Sequence, residues 1–543
     1  MRYPIGLQTF DQLREGGYVY VDKTEDVYSL AHGSKIYFLG RPRRFGKSLL
    51  ISTLKNYFLG RKELFKGLAI EKLETEWKTY PVLHIDFSCG SYFYKDGLDN
   101  VLDDYLSGWE TQYHIEQTKR DYGIRFKRIL EAIHTQTGVR AVVLIDEYDK
   151  PILETMDLDV QVDVAGQKVS LEDYNRNVLR SFFGTFKAAD EHTHFVMLTG
   201  VTKFSQVSVF SDFNQPDDIS MSPLYDTICG ITTQEMLHYF PDAIHEMAQV
   251  YHCTDEEMVA KLKKQYDGYH FSDTMRGVFN PYSLLNAFKN HRMQDYWFRT
   301  GTPSYLIRLL NHFHEGIDEL TGKYYFPEQF IDYRADVEKP LPMIFQSGYL
   351  TIKEFKPRTS AFLLDFPNDE VKRGFITLLT NNYLKPQENV DAWMMKAVDS
   401  LEDGHVDLFK EQLTAFLASI PYNMRRKDTE HEKERYFHYT FYLLLRLMST
   451  YVVYTEKVQS QGRVDCIIET PKFIYIFEFK LDGSASEALQ QIERMGYARE
   501  YATDDRTLYK IGVNFSSETG TVEDWKTVNL NSGMAVSEMD DII

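Results

Sequence analysis

Leu39-Gly40-Arg41-Pro42-Arg43-Arg44-Phe45-Gly46-Lys47-Ser48 follows the apolar run Ile36-Tyr37-Phe38-Leu39 and leads into Leu49-Leu50-Ile51-Ser52-Thr53-Leu54. A buried strand, a glycine-containing turn, Gly-Lys-Ser and then a helix is the order that cradles a phosphate. Loop amides and the helix N-terminus aim donors at phosphate oxygens, Lys47 reaches the outer phosphates, and the Ser48 hydroxyl can ligate Mg²⁺. The loop departs from the usual spacing, because Arg41 stands where a glycine is expected and Gly40 falls one place early. Pro42, Arg43 and Arg44 make it stiff and positive. The competing reading is a basic turn between a strand and a helix.

Two downstream runs weigh against that turn. Ala141-Val142-Val143-Leu144-Ile145 is a short continuous apolar stretch, suited to a strand buried on both faces, and it ends in Asp146-Glu147-Tyr148-Asp149. Acids at the C-terminal end of such a strand sit where open α/β sheets bind ligands. Asp146 can hold Mg²⁺, and Glu147 can polarise an attacking water. The second run, Phe195-Val196-Met197-Leu198, ends at Thr199-Gly200 with Lys203 beyond. Thr199 either reports the γ-phosphate or satisfies a strand-end amide. The candidate nucleotide contacts are therefore Arg43, Arg44, Phe45, Gly46, Lys47, Ser48 and Leu49 from the loop, with Asp146 and Thr199. Glu147 is the catalytic candidate, Ser48 and Asp146 the metal ligands, and Arg180 and Lys203 candidate γ-phosphate sensors.

The chain has 543 residues, enough for two to four domains that each bury a core. Its 37 tyrosines and 36 phenylalanines argue against disorder. A formal net charge of −19 excludes a surface that is basic throughout, though not a local basic site. Cys89, Cys229, Cys253 and Cys466 are scattered without a C-x-x-C pair, so neither a zinc ribbon nor a redox motif is expected. The N-terminus has no signal-peptide core and no run approaches membrane-spanning length, which makes the cytoplasm the expected compartment, with no membrane partner.

Along the chain, residues 1–230 alternate strands and helices and read as an α/β nucleotide domain. Residues 231–320 read as a helical accessory region opened by the capping box Thr232-Thr233-Gln234-Glu235. Residues 321–425 read as a mostly helical connector. Residues 426–543 contain a second candidate site. There an apolar helix from Glu434 to Met448 precedes strands at 451–456, 464–468 and 473–480, and a helix follows from Ala485 to about Tyr501. Asp465 lies on the middle strand, and Glu478 and Lys480 share a face of the next. Two carboxylates and a lysine on one sheet face can bind Mg²⁺ and activate a water. The competing reading is a strand with one polar face in solvent. His438, set among aromatics, reads as a core residue rather than a ligand.

Both ends are similar to known families. Tyr18-Val19-Tyr20-Val21-Asp22-Lys23-Thr24, Arg41-Pro42-Arg43-Arg44-Phe45-Gly46-Lys47-Ser48 and Leu144-Ile145-Asp146-Glu147-Tyr148-Asp149 resemble the bacterial AAA-ATPase-like family, in which Arg41 is a family trait. Gly462-Arg463-Val464-Asp465, Glu478-Phe479-Lys480, Ala488-Leu489-Gln490-Gln491-Ile492 and Tyr497 resemble the PD-(D/E)XK nuclease domain commonly fused to it. The resemblance implies an α/β fold: a P-loop NTPase domain, a helical middle and a restriction-endonuclease-like C-terminal domain. It implies ATP as cofactor, and a nuclease core of Asp465, Glu478 and Lys480. Asp465 and Glu478 would ligate Mg²⁺ or Mn²⁺, with Glu456 and Gln491 in support and Glu434 adding a carboxylate. The expected function is an ATPase coupled to metal-dependent cleavage of DNA or RNA. The alternative is a nucleotide-dependent switch or scaffold that binds nucleic acid or protein without cutting. ATP and nucleic acid are the expected partners, and a homo-oligomer is left open.

Overall fold

The computed structural model describes residues 2–117, 121–156, 158–204, 216–301, 320–331, 340–384, 389–420, 444, 453–455, 458–459, 462–463 and 466–529. They form two compact units, 1–371 and 372–543. No described helix is long and apolar enough to cross a membrane.

The first unit is built on a five-stranded parallel sheet. Its order is Val82–Asp86, Ala141–Asp146, Thr193–Gly200, Ile36–Gly40 and Asp217–Asp218. Ala141–Asp146 is buried at every position, as its unbroken apolar run demands of a strand covered on both faces. Helices Lys47–Phe58 and Tyr122–Thr137 both pack against it. Thr193–Gly200 lies between the other two motif-bearing strands. Ile145 pairs with Leu198, and Leu39 with Thr199, so the three C-terminal strand ends come level at one edge. That edge gathers the residues singled out from three separate stretches of sequence.

Beyond the sheet, the stretch from Met156 to Leu171, polar in sequence, contains a hairpin: Gln161–Val164 pairs with Gln167–Ser170. Ala165 and Gly166 turn it with φ of 53° and 88°, the left-handed pair that suits a tight two-residue hairpin. The accessory region is helical at Thr233–Tyr239, Pro241–Val250, Asp255–Tyr266 and Pro281–Asn290, around a core that includes Met236, Phe240, Met247 and Phe288. The capping box at Thr232 and Glu235 is formed. The region also carries a three-stranded sheet of Ile231–Thr232, Gly277–Phe279 and Tyr269–His270. A second such sheet, Lys323–Tyr325, Ala361–Asp365 and Thr351–Lys356, follows it.

The second unit has a mixed five-stranded sheet in the order Val453–Thr455, Cys466–Glu469, Phe473–Leu481, Thr507–Phe515 and Val522–Asn529. Only the Phe473–Leu481 and Thr507–Phe515 pair is parallel, and helix Ala485–Met495 makes the crossover a parallel pair requires. The helix stops at Gly496, whose φ is 65°, and a 3₁₀ turn takes over from Tyr497 to Tyr501. Helices Val390–Glu402 and Val406–Ala418 belong to this unit. The Tyr475 hydroxyl donates to Leu401 O at 2.6 Å, and Phe409 meets Phe477 ring to ring at 6.1 Å. Helix Ala485–Met495 covers the other face, where Ile474, Ile476 and Ile492 pack together. The central strand is thus covered on both sides, which overturns the reading of a polar face in solvent.

Candidate functional site

The loop between Ile36–Gly40 and helix Lys47–Phe58 is shaped by its backbone. Gly46 takes φ 98° at the helix N-cap, a conformation that penalises any Cβ, and Arg44 is left-handed at 64°. Alternating backbone of this kind turns successive N–H groups toward one concavity. The carbonyls are taken up elsewhere. Lys47 Nζ donates to Arg41 O at 2.9 Å and Pro42 O at 3.1 Å. Arg41 Nη1 donates to Gly40 O at 2.9 Å, and Trp297 Nε1 to Arg43 O at 3.0 Å.

Arg41, in the place expected of glycine, is 1% exposed. Its guanidinium lies 4.0 Å from the Phe271 ring centroid and also donates to Ser220 O at 2.7 Å and Tyr225 O at 3.1 Å. Desolvation pushes its pKa down to about 10. Its side chain ties the loop to the segment after Asp217–Asp218. Phe45 is buried edge-on against Tyr269 and Phe271, with centroids at 4.8 and 5.6 Å. Arg44 stacks on Tyr282 at 4.2 Å.

A cavity of about 510 Å³ opens beside this loop. Arg43, Arg44, Gly46, Lys47, Ser48 and Leu49 line it, and so does Glu147. Phe45 instead lines a neighbouring apolar cavity of about 100 Å³, which shares Gly46 and Leu49. Burial lowers the Lys47 pKa, while Glu147, Asp146 and Asp149 act to raise it.

Asp146 and Thr199 are not among the residues lining the cavity. Both are buried, and Thr199 Oγ1 donates to Asp146 Oδ1 at 2.5 Å. The Glu147 amide donates to the same oxygen at 3.0 Å, and Glu147 itself has φ 51°. The turn it occupies is tied down by Asp149, whose Oδ2 accepts from the amides of Val201 at 2.8 Å and Thr202 at 2.6 Å. Burial raises the Asp149 pKa to about 6. Lys203 pairs with Asp218 at 2.8 Å, and Arg180 is on helix Leu171–Ala188; neither is among the residues lining the cavity.

In the second unit, Glu478 is 1% exposed and Lys480 is partly exposed on the same strand face. Gln491 of helix Ala485–Met495 bridges them. Its Nε2 donates to Glu478 Oε1, and its Oε1 accepts from Lys480 Nζ at 2.6 Å. The ammonium lies 3.8 Å from Glu478 Oε1. Gly512, paired with Glu478 on the next strand, makes this approach possible, because a Cβ there would stand 2.2 Å from Ala485 O. Asp465, Glu456, Glu434 and His438 lie outside the described residues.

Among the described residues, no three His, Cys, Asp or Glu side chains converge on a metal position. The candidate oxygen donors at the first site are the Ser48 hydroxyl, which lines the cavity, and the buried Asp146 carboxylate, which does not. Hard oxygen ligands in such small number suit Mg²⁺, which completes its shell with phosphate and water. Sequence reasoning missed Trp297 and Asp149 as supports. Trp297 reaches the loop from 254 residues away, and no local pattern announces such a contact.

Residues 4–210 match a family described as predicted AAA-ATPase, and residues 432–525 match the PD-(D/E)XK nuclease superfamily. The protein described as an uncharacterized protein in the vnfD 5′ region of Azotobacter chroococcum mcd 1 is 33% identical over 532 residues, 96% of this chain and 98% of that protein.

Proposed function

We propose, from the premise that the chain belongs to the AAA-ATPase-like family and carries a C-terminal PD-(D/E)XK nuclease superfamily domain, that it hydrolyses ATP and thereby governs metal-dependent cleavage of nucleic acid. The observation that carries the first half is the 510 Å³ cavity with Lys47, Ser48 and Glu147 on its wall.

The Gly46–Ser48 helix N-terminus and the loop amides would bind the phosphates. Two donors of Lys47 hold loop carbonyls, and the third is left for a phosphate oxygen. Ser48 and Asp146 would hold Mg²⁺, which supplies charge neutralisation to the phosphates. Glu147 would orient the attacking water and take its proton. Asp149, Thr199 and the Asp146 carboxylate keep the Glu147 turn in place.

At the second site, Glu478 and Asp465 would hold the Mg²⁺ or Mn²⁺ ion, which supplies Lewis acidity to the scissile phosphate. Lys480, held beside Glu478 by Gln491, would steady the charge that develops on the phosphate oxygens. The second reading is nucleotide-dependent binding without cleavage, favoured by how fully Gln491 and Lys480 enclose Glu478.

Cleavage of labelled DNA and RNA with Mg²⁺ or Mn²⁺ tests the assignment, with wild type, Asp465→Ala and Lys47→Ala side by side. Cleavage lost in Asp465→Ala and altered in Lys47→Ala supports it. Cleavage untouched by Asp465→Ala removes the nuclease half.

A further inference from the structure

Four consecutive carbonyls of the phosphate loop each accept from a side-chain donor. Those of Gly40, Arg41 and Pro42 are served from within the loop motif, by Arg41 and Lys47. The fourth, Arg43 O, accepts from the indole of Trp297 at 3.0 Å. A trans peptide carries its N–H opposite its C=O, so fixing the Arg43 carbonyl sets the direction of the Arg44 amide. Arg44 holds φ 64°, a conformation that costs a non-glycine residue free energy and persists only where its surroundings enforce it.

Trp297 is itself held firmly. It is buried 5.3 Å from Tyr349, ring to ring, and its backbone N–H donates to Glu370 Oε1 at 2.7 Å and to Ser283 Oγ at 3.2 Å. Ser283 belongs to helix Pro281–Asn290, which also carries Tyr282, the ring beneath Arg44 and a wall of the cavity. Glu370 thus joins two elements that meet the loop at neighbouring residues. It is almost wholly enclosed.

We propose that Trp297, seated by Glu370, is a positioning residue of the phosphate cradle, fixing the Arg43–Arg44 peptide so that the Arg44 amide faces the bound polyphosphate. The inference rests on the nucleotide reading and adds a residue that the loop motif does not contain. Trp297 touches no phosphate; it acts through the peptide it holds.

Calorimetric titration of Mg·ATP into the full chain tests this. Trp297→Phe keeps an aromatic ring and removes the N–H, and its Kd should rise about tenfold, the effect of roughly one hydrogen bond. Trp393→Phe is the control: it removes a comparable buried indole bond, to Gln412 O at 2.9 Å, in the second unit, and should bind as wild type does. Glu370→Leu, which removes the acceptor, should follow Trp297→Phe, and Glu370→Gln, which keeps one, should lose less. If Trp297→Phe does not fold, the two Glu370 variants carry the decision. Wild-type affinity in Trp297→Phe, or equal weakening in Trp393→Phe, overturns the inference alone. A wild type that binds no ATP overturns the nucleotide reading and this inference with it.

Discussion

On the proposed reading, the phosphate cradle and the carboxylate strand would solve the same problem, holding phosphate oxygens, in opposite ways. In the cradle the ligand groups would be mostly backbone amides. The side chains around them act by occupying carbonyls, and they come from across the chain: Arg41 reaches Ser220 and Tyr225, and Trp297 reaches back to Arg43. In the second unit the ligand groups would be side chains, and their support is local. Glu478, Lys480 and Gln491 fall within 13 residues of one another. A backbone site spreads its function over many weak supports, whereas a side-chain site concentrates it in a few atoms. Single substitutions should therefore be all-or-none at the strand and graded at the cradle.

The largest effect should follow Glu478→Ala. Removing the carboxylate proposed to hold the metal should lower cleavage by about a thousandfold or more, to background in a gel assay, with ATP turnover unchanged. A variant that still cuts at a tenth of the wild-type rate would break the contrast. Glu147→Gln is the cradle's strongest case, because Glu147 is the proposed general base. ATP turnover should fall by about 10²–10⁴, with the Kd for ATP within a few-fold of wild type.

Supports should matter less. Thr199→Val removes the 2.5 Å bond to Asp146 and should reduce Mg²⁺-dependent turnover about tenfold, measured across a Mg²⁺ titration. An unchanged Mg²⁺ dependence would mean that Thr199 only fills the strand end. The smallest effect concerns pH. Burial raises the Glu370 pKa to about 8, so the folded chain keeps that proton where the unfolded chain has lost it. Its contribution to stability is full below the ordinary carboxyl pKa and is lost as pH rises through about 8. Glu370→Gln should flatten the fall in melting temperature between pH 5 and pH 8, as followed by scanning calorimetry, relative to wild type.

Much of the first sheet was legible because its signals are local. Ile36–Leu39, Ala141–Ile145 and Phe195–Leu198 are apolar runs bounded by polar punctuation, and each is a buried strand. The cradle could be located from Gly46-Lys47-Ser48, but the work of Arg41 could not, since its partners are far away in number. Thr507–Phe515 went unread for a related reason. Gly512 and Asn514 look wrong for a strand, yet Gly512 is what lets helix Ala485–Met495 approach, and Asn514 accepts from the Gly483 amide at 2.8 Å. The Glu478 and Lys480 pair was legible from its spacing. Its burial was not, because the residue that covers Glu478, Gln491, comes from a helix whose close approach depends on Gly512 of the next strand, a packing that spacing along one strand does not announce.

The central claim is that the loop beside the cavity binds ATP through its phosphates. Calorimetric titration of Mg·ATP and of adenosine into wild type and Lys47→Ala tests it most directly. The account predicts saturable one-to-one binding of ATP far tighter than that of adenosine, with the preference collapsing in Lys47→Ala. Equal affinities for ATP and adenosine in the wild type, or an ATP isotherm unchanged by Lys47→Ala, would contradict it.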